Sequence, residues 1–195
     1  MDLIASLGRT VGFSFAAGVN LYATVAMLGL ASRFGWVRLP EQFNAFNNDY
    51  IIAAAVAMYL VEFFADKIPY VDTVWDIIHT AIRPVGGALI AVSTLGDASP
   101  AVQGLTALLG GTVAASSHLT KTSTRAMANA SPEPFSNWFL SLAEDVFVVG
   151  LGYLAMQHPV AALAVVGVLL VVIAAFGVVI IRTVRRWFLR RPATV

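Results

Sequence analysis

Residues 62–83 read EFFADKIPYVDTVWDIIHTAIR and hold Glu62, Asp66, Lys67, Asp72, Asp76, His79 and Arg83, seven ionisable side chains in twenty-two positions. Asp72, Asp76, His79 and Arg83 fall at i, i+4, i+7 and i+11, one stripe of a helix, with Val74, Ile77, Ile78, Ala81 and Ile82 on the other side. Glu62 and Asp66 are one turn apart, so their carboxylates share a face. A second stripe, His118, Lys121, Thr122 and Arg125 at i, i+3, i+4 and i+7, is basic and rich in hydroxyls, and Asn129 extends it. A third holds Asn137, Ser141 and Glu144, with Asp145 adjacent. Ser14, Gly18 and Tyr22 form a fourth, with Asn20 beside them. Carboxylates and imidazoles in such rows suit a proton relay or a hard cation. Lys, Arg and hydroxyls suit a phosphate or carboxylate. Each stripe also has a plainer meaning: a salt-bridged rim, counter-ions for the acids, or interhelical hydrogen bonds for Asn20 and Tyr22.

The elements that must carry these stripes are apolar. Of 195 residues 58% are hydrophobic and 12% charged, and mean hydropathy is +0.79. A soluble domain has about 25% charged residues, so the surface itself must be apolar and lipid is the expected solvent. The net charge of +1 gives no case for nucleic acid. Cysteine is absent, which removes disulfides and thiolate chemistry. No G-x-S-x-G, H-E-x-x-H, Walker or dinucleotide glycine pattern occurs. Nothing selects two of the acids as an aspartyl-type dyad, so an enzyme acting on lipid, which would need two acids or a metal held close together at headgroup depth, ranks third among the readings. No catalytic residue, cofactor or metal ligand is assigned; a proton or cation could serve as coupling ion.

Six segments approach the roughly 20 apolar residues of a membrane helix: about Leu3–Ala31, Ile51–Phe64, Pro84–Leu95, Ala101–Leu119, Phe135–Met156 and Pro159–Ile181. The Met1-Asp2-Leu3-Ile4 start has no basic region, which makes the first a retained helix. The expected fold is all-α, a polytopic membrane helix bundle of five or six spans forming one domain over 1–195, with a basic tail at 182–195. Short segments predict broken or re-entrant helices, tolerated where protein covers their backbone. Pro69 should end one helix, and Thr73-Val-Trp-Asp76 reads as a capping box starting the next. Leu39-Pro-Glu-Gln-Phe43 echoes Ser131-Pro-Glu-Pro-Phe135, which suggests two inverted three-helix halves, 1–98 and 101–181. Arg182, Arg185, Arg186, Arg190 and Arg191 mark a cytoplasmic C-terminus. Six spans make the N-terminus cytoplasmic too, with Lys67, Arg83, Lys121 and Arg125 on that side and Arg33 and Arg38 outside. Gly8-x-x-x-Gly12 and Ser14-x-x-x-Gly18 could form a homodimer face.

An acid at bilayer depth costs at least about 2.5 kcal/mol. Glu144 lies about 13 Å along a helix of about 33 Å, close to mid-membrane. The acids and the Lys121/Arg125 pair are therefore expected to face one another across a shared polar core, Asp76 opposite Lys121 for example. Glu62 and Glu144 would titrate, and His118, Lys121 and Arg125 would hold an anionic group. The expected function is a small secondary transporter or translocase, proton-coupled, for a small anionic solute or lipid headgroup. The alternative is a non-transporting scaffold whose tail, with Trp187 and Phe188, docks on anionic lipid or a partner.

The stretches GVNLYATVAMLGLASRFG, VEFFADKIPYVDTVWDIIHTAIRPVGGAL and NASPEPFSNWFLSLAEDV resemble the bacterial membrane family called domain of unknown function 4126, over about residues 8–160. The resemblance implies an integral membrane protein; the bacterial inner membrane, crossed several times, is the expected location. It brings no activity and no catalytic residues.

Overall fold

The computed structural model describes residues 3–37, 39–68, 70–129 and 135–189. Arg38, Pro69, residues 131–134, the side chains of Trp187 and Phe188, and Arg190 and Arg191 lie outside the described residues. The fold is all-α: α1 Leu3–Val19, α2 Leu21–Phe34, a short 3-10 helix Glu41–Phe46, α3 Asp49–Ala65, α4 Val71–Ser93, α5 Pro100–Asn129, α6 Phe135–Gln157 and α7 Pro159–Leu189. Two helices, Phe135–Gln157 and Pro159–Arg186, are long and apolar enough to cross a membrane.

The expected first span, Leu3–Ala31, is two helices. Asn20 is extended at φ −148°, ψ 100°, and its side chain caps α2 by accepting from Ala23 N at 2.9 Å. The two arms then lie side by side with opposite directions. On α1, Thr10 meets Thr94, Ser14 donates to Gly87 O, and Gly18 O lies at Arg83, so α1 descends antiparallel to α4. Past Asn20, Leu21 packs on Gly86, and Val25 shares a cleft with Leu89 and Ile90, so α2 climbs back. Helix α6 registers the same reversal: Gly12 faces Ala155, Met27 faces Gly152, and Asn20 meets Asp145 below both. The two arms form a helical hairpin with Asn20 at its tip. The 3-10 helix props it open, with Phe43 edge-on to Phe13 at 5.6 Å and Phe46 O against Gly29.

Helices α3 to α7 run alternately up and down around this hairpin. Ile52 at the start of α3 touches Gly29 near the hairpin's open end, while Glu62 near its finish reaches Arg83. Asn129 at the end of α5 reaches Asp72 at the start of α4, and Pro159 at the start of α7 abuts Gly8. The chain therefore starts at the open end, and α7 finishes at the opposite, charged end. Two of the expected local signals resolve differently. The capping box does not start α4: that helix begins at Val71 after Tyr70, which has φ 72° and gives no side-chain cap, and Thr73 accepts from Asn129 at 3.3 Å instead. The short third segment is part of α4, which runs through Pro84 unbroken.

The core is lined by small and aromatic residues of α1, among them Phe13, Ala16, Ala17 and Gly18. Close approach explains them: a Cβ on Gly18 would lie 2.2 Å from Ala114 O, and one on Gly12 would lie 2.9 Å from Ala155 Cβ. The small-residue stripes expected to offer a dimer face are thus spent on contacts within the chain. The outward faces are apolar, including Ile77, Ile78, Leu105, Leu108, Phe139, Val171 and Phe176, while Glu62, Arg83, Lys121 and Arg125 are buried.

Candidate functional site

The buried charges meet below the hairpin tip. Glu62 on α3 accepts from Arg83 Nη2 of α4 at 2.7 Å and lies 3.3 Å from Lys121 Nζ of α5. Lys121 also donates to Asp66 at 2.9 Å and lies 3.5 Å from Glu144 of α6. Arg125 makes a two-point pair with Glu144, 3.1 and 2.6 Å, donates to the Asp66 carboxylate at 3.2 Å and its carbonyl at 2.7 Å, and lies 3.6 Å from Asp72. Asp76 lies 3.3 Å from Arg83 Nη1. Four helices thus supply one network, because each apolar helix keeps its ions on a single face and that face turns inward. Glu62 and Arg83 side chains are both 0% exposed.

The pairing differs in detail from the expected one. Lys121 holds Glu62, Asp66 and Glu144, and Asp76 pairs with Arg83 of its own helix rather than with Lys121. The basic stripe is engaged by carboxylates. The count is unequal: within 4.0 Å, Glu62, Asp66, Asp72, Asp76 and Glu144 have only Arg83, Lys121 and Arg125 as cationic partners among the described residues. Fully ionised, five acids and three cations leave two negative charges uncompensated in a place where charge is costly.

The remaining expected residues surround this network. His118 accepts at Nδ1 from Arg83 at 2.8 Å, and its Nε2 meets the Thr80 hydroxyl at 3.2 Å. His79 gives Nδ1–H to Trp75 O at 2.7 Å, which leaves Nε2 to accept from Tyr22 at 2.9 Å. Asn137 donates to Asn129, which donates to Asp72 at 3.2 Å. Ser141 accepts from Lys67 at 3.2 Å. Asn20 donates to Asp145 at 3.3 Å, and Tyr59 lies against the same carboxyl. Thr122 is not brought into the network; its hydroxyl bonds Leu119 O, and it lines an outer cleft. Lys67, Thr80 and Tyr59 are site residues that the sequence reading does not select. Two of them carry a usable signal, since Tyr59 shares the face of Glu62 and Asp66, and Thr80 is one turn from Asp76. Lys67 sits in the turn after α3, 3.0 Å over the Phe63 ring, and burial draws its pKa below the ordinary value against the pull of Asp145 and Asp66.

The broken hairpin adds dipoles. The carbonyl end of α1 presents Gly18 O to Arg83 at 3.4 Å, and the amide end of α2 sits beside Asp145, each charge at the favourable pole. Two clefts reach the network. One of about 360 Å³, between α5, α6 and α7, is walled by Phe15, Leu140, Phe147 and Leu169 and ends at Lys121 and Glu144. The other, of about 340 Å³, lies between α4 and α5. Among the described residues no three His, Asp or Glu side chains group as a metal ion requires.

Fold and site define a helical-bundle protein with apolar outer faces, a helical hairpin broken at Asn20 and a buried internal ion network that two clefts reach. The chain belongs to the family described as a domain of unknown function (DUF4126), which it matches over residues 7–178. No curated protein and no solved structure matches it.

Proposed function

We propose that this protein is a small proton-coupled secondary transporter or translocase of the bacterial inner membrane. Apolar residues outside and ions inside are the arrangement lipid demands. In this reading α3 to α7 cross the bilayer and the α1–α2 hairpin enters it from one side, giving five crossings. The charged end, with Arg182, Arg185 and Arg186, faces the cytoplasm. The single observation that carries the proposal is the hairpin tip: a helix broken at Asn20 directs its two half-helix poles at Arg83 and Asp145, beside a network with two surplus carboxylates. Discontinuous helices that end on buried charge are how many transporters build their ion and substrate sites.

The moved group would be an anionic amphiphile such as a lipid headgroup. The cleft between α5, α6 and α7 pairs apolar walls with Lys121 and Glu144 at its inner end, which suits an acyl chain and a polar head better than a hydrated ion. In proteoliposomes containing a fluorescent anionic glycerophospholipid, an imposed pH gradient is expected to drive flipping. Glu144→Gln and Lys121→Ala each should slow it at least about tenfold, the counterpart of about 1.4 kcal/mol. Unchanged rates in both variants would sink the transport mechanism. One observation favours a static scaffold as second reading: all three cations are paired within 3.6 Å. A scaffold predicts lost stability in these variants and no flipping by the wild-type chain.

A further inference from the structure

The five acids of the network are not equivalent. Glu62 accepts a 2.7 Å hydrogen bond from Arg83, Asp66 accepts from Lys121 and Arg125, Asp72 from Asn129, and Glu144 accepts two hydrogen bonds from Arg125. Among these five, Asp76 alone has no hydrogen-bond donor on either oxygen, though it is 3% exposed and its one close cation, Arg83 at 3.3 Å, is already held by Glu62. A buried carboxylate without donors is the group whose charge is hardest to keep. Asp76 also lines the cleft of about 340 Å³ between α4 and α5, with Thr73, Thr80, Thr122, Ser123 and Arg125, while its carboxylate oxygens lie beneath the wall. The wall is more apolar than polar, and the cleft is roomy enough for several waters. Its hydroxyls with water can pass a proton, and Arg125 is the one fixed charge besides Asp76 on the wall.

We infer that the α4–α5 cleft is a proton entry and that the Asp76 carboxylate is the network's proton acceptor. This rests on the transport reading above and names its coupling site. In the step, a hydronium in the cleft gives its proton to an Asp76 oxygen as the wall over that buried carboxyl admits it, leaving a water and a carboxylic acid and reducing the network's surplus from two negative charges to one. The groups facing Asp76 are Arg83 and Asp72 from α4, Lys121, Arg125 and His118 from α5, and Asp66 at the end of α3. Of these, Arg83 keeps Glu62 when Asp76 becomes neutral, so the network survives protonation. Thr122, which stands outside the ion network, gains a place here as a wall of the entry.

Two measurements on the full-length chain in proteoliposomes test this. Infrared difference spectra between alkaline and mildly acidic buffer should show a protonated-carboxyl stretching band. The band should disappear in Asp76→Asn and return in Asp76→Glu. Since the chain has no cysteine, single-cysteine variants report access directly. Thr122→Cys and Ser123→Cys should react with a membrane-impermeant maleimide, and the buried Ser14→Cys should react at least about tenfold more slowly. A band that persists in folded Asp76→Asn overturns the inference. So does a Thr122→Cys or Ser123→Cys chain that reacts no faster than the Ser14→Cys control. Proton uptake at Asp76 without any lipid movement would remove the transport reading and leave this site standing.

Discussion

Arg83 shows how much one side chain carries. It is wholly buried and touches Glu62, His118, Gly18 O and Asp76, joining α3, α5, the hairpin tip and its own helix. Removing one partner of a buried pair leaves the other charge uncompensated, at a cost of about 3–5 kcal/mol. Arg83→Met is therefore expected to lower thermal stability in detergent strongly, read from tryptophan fluorescence. Glu62→Leu combined with Arg83→Met should recover part of that loss, because neither member of that pair is then left as a lone buried charge. If the double variant is less stable than either single one, the pair is not the source of the effect. At this scale the sequence is informative: helical period and the cost of burial pick out Glu62, Asp66, Asp72, Asp76, Arg83, Lys121, Arg125 and Glu144. They do not give the partners. Whether Lys121 meets Asp76 or Glu62 depends on the rotation of α4 against α5, which small residues at their contact decide and which charge spacing does not encode.

The elements are legible in kind and less so in continuity. Apolar runs locate the long helices, and the 30-residue α5 follows directly from an apolar segment continuing into a polar one. The break at Asn20 is hidden inside an unbroken apolar stretch, because one Asn acting as a cap weighs little in a hydropathy window, although Asn is a preferred N-cap residue. The reverse holds at Pro84, where a residue that ordinarily interrupts helices lies inside α4. Close helix contact fixes these elements. Gly18→Ala places a methyl 1.9 Å from Ser117 Oγ and 2.2 Å from Ala114 O. It should cost about 1–3 kcal/mol through overpacking and lower the midpoint of unfolding. Gly104→Ala in α5 meets nothing within 4 Å and should instead gain about 0.5–1 kcal/mol. Equal midpoints for the two variants would contradict the packing of α1 on α5.

For the whole molecule, in the topology proposed above, the α1–α2 hairpin changes the parity of the chain. Six complete crossings would place both ends on one side; a hairpin followed by five through-helices would place them on opposite sides. In sealed vesicles of one orientation, Asp97→Cys near the open end and Met127→Cys near the charged end, both exposed, should react with an impermeant maleimide from opposite faces. Ile4→Cys should side with Asp97→Cys. Labelling of Ile4→Cys from the same face as Met127→Cys would restore the six-span plan. The sequence carries the balance of apolar surface and buried charge, but parity rests on one bend, and no count of basic residues in short loops reports it.

Glu62 and Asp66 have a further consequence, one of timing. Both belong to α3 and its end, yet Arg83, Lys121 and Arg125, which neutralise them, lie later in the chain. As the chain leaves the ribosome, α3 emerges with two acids ahead of all three bases. Its final berth exists only after α5 has emerged, so in the membrane topology proposed above α3 lingers at the insertion machinery or the headgroup layer until its counter-ions arrive. In that topology, assembly runs in sets of helices rather than one at a time.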